Sequence, residues 1–279
     1  MPIGLVKQAT SSMRVPVKPN QSIPTHDSVF GTRTVVRDAW SWLILREAIF
    51  HDIRRFNAFQ RRLGIPRQAL QERLDQLVTG GILERRAREA GGRISEYVLT
   101  ERGRDFFGCL VTTMRWGEQW CVDERVEISK ARHLGCGGRF EAVLQCSECR
   151  APLEARAVDV TLARGARAEL RAATRSDARR HRDPGLHLLE RERACTIART
   201  LRVTGDWWSG LVIREAFLGT RRFDDFEKRL EIASNVLSER LARLVDAGVL
   251  ERRAYQDRPL RYEYRLTKKG LDLYPVPLL

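Results

Sequence analysis

Residues Asp38–Arg86 read DAWSWLILREAIFHDIRRFNAFQRRLGIPRQALQERLDQLVTGGILERR, and Asp206–Arg253 read DWWSGLVIREAFLGTRRFDDFEKRLEIASNVLSERLARLVDAGVLERR. From Arg54 to Gly103 the first stretch aligns without gaps to Arg221–Gly270, with 24 of 50 positions identical. A repeat of that length is a whole folding unit rather than a motif. Reading one copy therefore reads both.

In the second copy, Trp207 to Leu218 is apolar on most sides and predicts a short buried helix, broken at Gly219-Thr220. Phe223, Phe226 and Leu230 stand at i, i+3 and i+7, the stripe of an amphipathic helix. Leu237, Leu241, Leu244 and Val245 predict a third, longer helix. Ser234 is placed to cap it and Gly248 to stop it. The runs VLERRAYQ and YEYRLT, joined through Asp257-Arg258-Pro259, predict a β-hairpin. The first copy repeats the plan. Trp40–Phe50 forms its buried helix. Pro66 stands at the start of its third helix, where a missing N–H costs nothing. Helix, helix, turn, helix and hairpin is the winged helix-turn-helix plan. The expected fold class is mainly α with small β-hairpins (α+β).

Composition narrows the partner. The chain of 279 residues carries a net charge of +14, which favours a polyanion over an uncharged or cationic partner. No apolar run approaches the roughly 18 residues of a membrane-spanning helix. The first 28 residues lack the apolar core of a secretory signal. Six cysteines in a chain of this length fit a reducing compartment, with a clustered subset as metal or redox candidates. The expected location is cytoplasmic.

The motifs R-R-F-x-x-F, L-x-x-R-L-x-x-L-x-x-x-G-(I/V)-L-x-R and E-Y-x-L-T-x-x-G recur in this order in both copies. In that order they resemble the HxlR-type winged-helix transcription regulators. The resemblance implies a bacterial DNA-binding regulator whose members usually carry one such domain and act as homodimers. Two copies on one chain then imply a covalent pseudo-dimer for two DNA half-sites, with RNA polymerase or a second copy of the chain as further partners and no small-molecule substrate. The organisation expected is a flexible arm at 1–26, a first winged-helix domain at 27–128, a Cys/His zinc-ribbon-like segment at 129–158, an Arg/Ala-rich linker at 159–188 and a second winged-helix domain at 189–279.

In a winged helix the third helix enters the major groove, and its N-terminal exposed residues reach base edges. Those positions are Arg67, Gln68, Gln71 and Arg73 in copy one, and Ser234, Asn235, Ser238 and Arg240 in copy two. Arginine can bind guanine and glutamine adenine in bidentate fashion. The reading faces differ, so two unlike half-sites are expected. Arg54, Arg55, Arg221 and Arg222 at helix starts, and wing residues Arg88, Arg93, Arg258 and Arg261, are expected at phosphates. Of the pairs Arg85/Arg86 and Arg252/Arg253, alternation should turn one member of each towards the protein body.

After the first wing, an apolar helix from Arg102 to about Val122 either packs on its own domain or docks the second copy; the sequence leaves both open. Cys109 and Cys121 on it read as small buried hydrophobes. His133, Cys136, Cys146 and Cys149 then give H-x2-C-x9-C-x2-C, two close ligand pairs of the kind that tetrahedral structural Zn²⁺ takes. A metal-free hairpin with reduced thiols and a redox-responsive Cys146–Cys149 pair stay open beside it. Cys195, ahead of the second copy, resembles the N-terminal cysteine of thiol-sensing family members, and neighbouring arginines could activate it. Compared with copy one, the long helix after the second wing has no counterpart. No catalytic constellation accompanies any of these residues, so no enzyme is expected. The alternative reading is a winged-helix/zinc-ribbon protein-interaction or general transcription assembly module.

Overall fold

The computed structural model describes residues 35–36, 38–87, 95–122, 131–158 and 195–274. The N-terminal arm, the tip of the first wing with Arg88 and Arg93, and the linker at 159–188 lie outside the described residues.

The first unit runs α1 (Ala39–His51), α2 (Phe56–Leu63), α3 (Arg67–Thr79), β1 (Leu83–Ala87), β2 (Ser95–Leu99) and α4 (Glu101–Trp120). The second runs α5 (Thr196–Thr204), α6 (Trp207–Phe217), α7 (Phe223–Leu230), α8 (Ser234–Asp246), β3 (Leu250–Asp257), β4 (Leu260–Leu266) and α9 (Lys268–Leu271). Each pair of strands is an antiparallel hairpin, with Arg85 opposite Tyr97 and Arg252 opposite Tyr264. The second strand of each hairpin also meets the chain ahead of the second helix: Tyr97 N donates to Arg54 O and Tyr264 N to Arg221 O, both at 2.7 Å. The wing is thereby pinned beside the start of α2 or α7.

The same cap opens both units. Asp38 accepts from Ser41 N and Asp206 from Ser209 N, each at 3.0 Å, satisfying amide groups the first helical turn would leave orphaned. Thr100 and Thr267 cap the helix after each wing. Three residues on, Gly103 and Gly270 press against the carbonyls of Ile82 and Val249. A Cβ there would lie 2.1 and 2.2 Å away, so only glycine allows that contact. Ser234 does not cap α8. It is the first helical residue, after Ala233, and its hydroxyl bonds Glu227 instead.

The helix after the first wing does both things the sequence left open. Its first half gives Phe106, Cys109 and Leu110 to the core of the first unit. Its second half gives Trp116 to the core of the second. In return α5, which precedes the second unit, places Ile197, Ala198 and Leu201 in the first core. The crossing of α4 and α5 is close: a Cβ on Gly117 would lie 2.2 Å from Thr196 O, and Thr200 Oγ1 donates to Thr113 O at 3.0 Å. Trp116 Nε1 donates to Lys269 O at 3.0 Å, and Gln119 and Trp120 both donate to Asp272. The two units share apolar contacts rather than merely a linker.

Candidate nucleic-acid interface

Where α2, α3 and the first wing meet, they enclose a cleft of about 400 Å³. Its charged lining is Arg55, Arg61, Arg67 and Arg85, with no carboxylate, and Asn57 and Gln71 stand among them. The guanidinium of Arg67 lies 4.9 Å from the ring centre of Phe56, a cation–π contact that aims it across the mouth of the cleft. It stands on the first turn of α3, at the positive end of the helix dipole. Four guanidinium groups and a helix N-terminus around one concavity make an anion-binding surface.

Several expected residues fall here or on its rim. Arg55 is exposed and pairs with Glu96 on the wing at 3.2 Å. Arg54 pairs with Asp52 at 2.8 Å, and that carboxylate raises its pKa further above the ordinary arginine value. Gln68 and Gln71 lie along α3 and bond Glu72 and Asp75, one turn on, at 3.1 and 2.9 Å. In the second unit, Ser234, Asn235 and Ser238 are exposed on α8, and Arg258 and Arg261 are exposed near the tip of the β3–β4 hairpin. Arg222 stacks on Tyr255 at 4.7 Å.

Three expectations need correcting. Arg73 and Arg240 do not face out from the recognition helices. Arg240 is buried and its Nε donates to Asp206 Oδ1 at 2.9 Å; Arg73 bonds Asp38 at 2.7 Å in the same way. The carboxylate that caps the first helix thus also anchors the third, because i+6 from the start of the helix points back into the body rather than to the groove. Arg221 differs from its counterpart Arg54. It is half-buried, its guanidinium donates to the carbonyls of Ala216 and Thr220, and burial followed by Arg265 lowers its pKa. Alternation turns Arg85 towards the cleft between the wing and the body, but it buries neither arginine of either strand pair. Arg85, Arg86, Arg252 and Arg253 are all exposed, because a two-stranded ribbon that projects from the body has solvent on both faces.

The residues that sequence reasoning missed are Arg61 and Arg85. Arg61 looked like one more surface charge on an amphipathic helix. The turn from α2 to α3 puts it on the cleft with Arg67, and the wing adds Arg85.

Among the cysteines, burial pushes the Cys109 thiol up to about 12 and raises that of Cys121, as expected of small buried residues. Cys195 is half-buried at the start of α5. Its thiol accepts from Arg46 Nη1 of the first unit at 3.0 Å. Cys136 and Cys149 are exposed and Cys146 is half-buried.

The family model described as HxlR-like helix-turn-helix matches residues 35–125 and again 203–278. The chain belongs to the HxlR-like helix-turn-helix family. It is 38% identical over 144 residues to the Mycobacterium tuberculosis protein named as the uncharacterized HTH-type transcriptional regulator Rv3095, covering 52% of this chain and 90% of that protein. Two Bacillus subtilis proteins named in the same way are also similar. YdeP is 34% identical over 85 residues, 30% of this chain and 66% of YdeP. YvaP is 39% identical over 70 residues, 25% of this chain and 65% of YvaP. Both family segments contain the third helix and the hairpin, so the cleft of the first unit and its counterpart in the second lie within the matched regions. Among the described residues no helix is long and apolar enough to cross a membrane.

Proposed function

We propose that this chain is a sequence-specific DNA-binding transcriptional regulator in which two winged-helix units on one polypeptide engage two unlike half-sites. The cleft of the first unit carries the reading: Arg55, Arg61, Arg67 and Arg85 line it beside the N-terminus of α3, and only Arg55 meets a carboxylate, Glu96. Helix N-termini and guanidinium groups hold phosphates, and exposed side chains of α3 are left to read bases. Arg67, Gln68 and Gln71 would read one half-site, and Ser234, Asn235 and Ser238 the other. The exchange of Trp116 and Ile197 between cores supports a fixed spacing between units, the role that dimerisation plays in single-domain proteins. The relatives' names as transcriptional regulators support the same role and an intracellular place beside DNA, and nothing in the cleft supports turnover of a substrate.

The experiment is a gel-shift titration at several salt concentrations on a footprinted duplex, with light scattering of the complex. If each unit neutralises about four phosphates, log K should fall against log salt with a slope on the order of −7. One chain per duplex is the expected stoichiometry. A slope near zero removes the nucleic-acid reading, and two chains per duplex at the lowest saturating concentration removes the pseudo-dimer.

A further inference from the structure

We propose that His133, Cys136, Cys146 and Cys149 are the four protein ligands of a structural Zn²⁺ that joins two matching turns. The first observation is their shape. Gly137 N donates to His133 O at 2.7 Å, and His133 N to Gly138 O at 2.8 Å. Moved along the chain from 133 to 146, the same bonds recur: Arg150 N to Cys146 O at 3.0 Å, and Cys146 N to Ala151 O at 2.9 Å. Arg132 bridges Arg139 across the first turn, and Gln145 bridges Pro152 across the second, at the same displacement. The residue after the last ligand of each pair, Gly137 or Arg150, has positive φ, at 69° and 62°. Gly137 adopts that conformation freely, but an arginine there is strained, so the second turn holds its shape against the preference of its own residue.

The second observation is spacing within a pair. His133 Nδ1 and Cys136 Sγ lie 3.4 Å apart. Zinc with Zn–N of about 2.0–2.1 Å and Zn–S of about 2.3 Å in a tetrahedron sets nitrogen and sulfur about 3.6 Å apart. Across the pairs the structure stops short: among the described residues no three of His, Cys, Asp or Glu converge on one point. Each turn is thus shaped as half of a site, and the ion would be the link between halves. Three thiolates and one imidazole fill a tetrahedron and leave no position for water, so the role is structural rather than catalytic.

The segment lies against α4. Arg115 Nη1 donates to Ala142 O at 2.8 Å, and Arg139 pairs with Glu118 at 3.1 Å. With α4 and the α9 region of the second unit, it walls a cavity of about 710 Å³. A closed metal site would therefore stiffen the junction of the two units.

The test uses the full chain purified under reduction without chelators. Elemental analysis should find about one zinc per chain, and Cys146→Ser, Cys136→Ser and His133→Asn should each lower it to roughly a tenth or less. Co²⁺ exchanged into the protein should show the visible bands of a tetrahedral site and thiolate charge transfer that weakens in each cysteine variant. Far-UV circular dichroism of each variant checks that the winged-helix units remain folded. Protein that neither contains zinc nor takes it up from micromolar buffered Zn²⁺ overturns the proposal, and so does zinc kept by a C146S/C149S chain. A Cys146–Cys149 disulfide forming readily in zinc-treated protein overturns it as well, in favour of a redox pair.

Discussion

The clefts of the two units are built on one backbone plan and differ in charge. The first is lined by Arg55, Arg61, Arg67 and Arg85. At the aligned positions the second has Arg222, Lys228, Ser234 and Arg252, with Asp224 and Asp225 where the first has Asn57 and Ala58. Four cations, one of them paired with Glu96, thus become three with two added carboxylates. The second unit also holds its arginines on tyrosines: Arg222 over Tyr255, and Arg252 over Tyr262 at 4.3 Å. Duplicated scaffolds can keep their shape while their surfaces diverge, because the core tolerates only volume-conserving change and the surface tolerates almost any. Here the divergence leaves the first unit with more cations and fewer carboxylates around its third helix than the second.

The anchor common to both units offers the largest contrast. Asp206–Arg240 is almost wholly buried, with side chains 7% and 8% exposed, whereas Asp38–Arg73 is somewhat more open, at 13% and 17%. Asp206→Ala removes the buried partner of Arg240 and leaves it only the exposed Glu239, and should cost about 3–5 kcal/mol in urea denaturation. Asp38→Ala should cost distinctly less, about 1–2 kcal/mol, because water reaches Arg73. Equal losses would mean that the two anchors are equally dry, and the comparison would fail there.

The junction comes next. Gly117→Leu places atoms where the Thr196 carbonyl stands, and overpacking of this kind costs about 1–3 kcal/mol. It should separate the units in small-angle scattering while each keeps its helical signal. An unchanged scattering profile would show that the α4–α5 contact does not hold them together.

On DNA, Arg67→Ala should lose about 1–3 kcal/mol and relax preference at one base position. Ser234→Ala, at the aligned position, should lose at most a few tenths on the same duplex. Arg61→Ala should weaken all sequences about equally and reduce the salt slope by about 1. Losses of the same size in both units would show that the charge difference does not govern affinity. The smallest effect is a gain: Asp224→Asn removes a carboxylate from the second cleft and should tighten binding by about 0.5 kcal/mol, read by gel shift at low salt. No change, or weakening, would show that this face of the second unit stays away from phosphate.

The sequence by itself determined the helices and hairpins of both units, because hydrophobic period, glycine stops and the ungapped repeat all act over a few residues. It also determined the net charge and marked both Cys/His turns, whose spacing is local. It was misleading at Arg73 and Arg240, since helical exposure depends on what a neighbouring helix presents, and the partner carboxylate lies 35 or 34 residues away. It did not mark Arg61 and Arg85 as cleft residues, because the cleft exists only once the α2–α3 turn and the wing are in place. It left α4 ambiguous for the same reason. An apolar stripe records that a face is buried, not against what. Only tertiary packing decided that Phe106 belongs to the first core and Trp116 to the second, and so that one helix joins the two units.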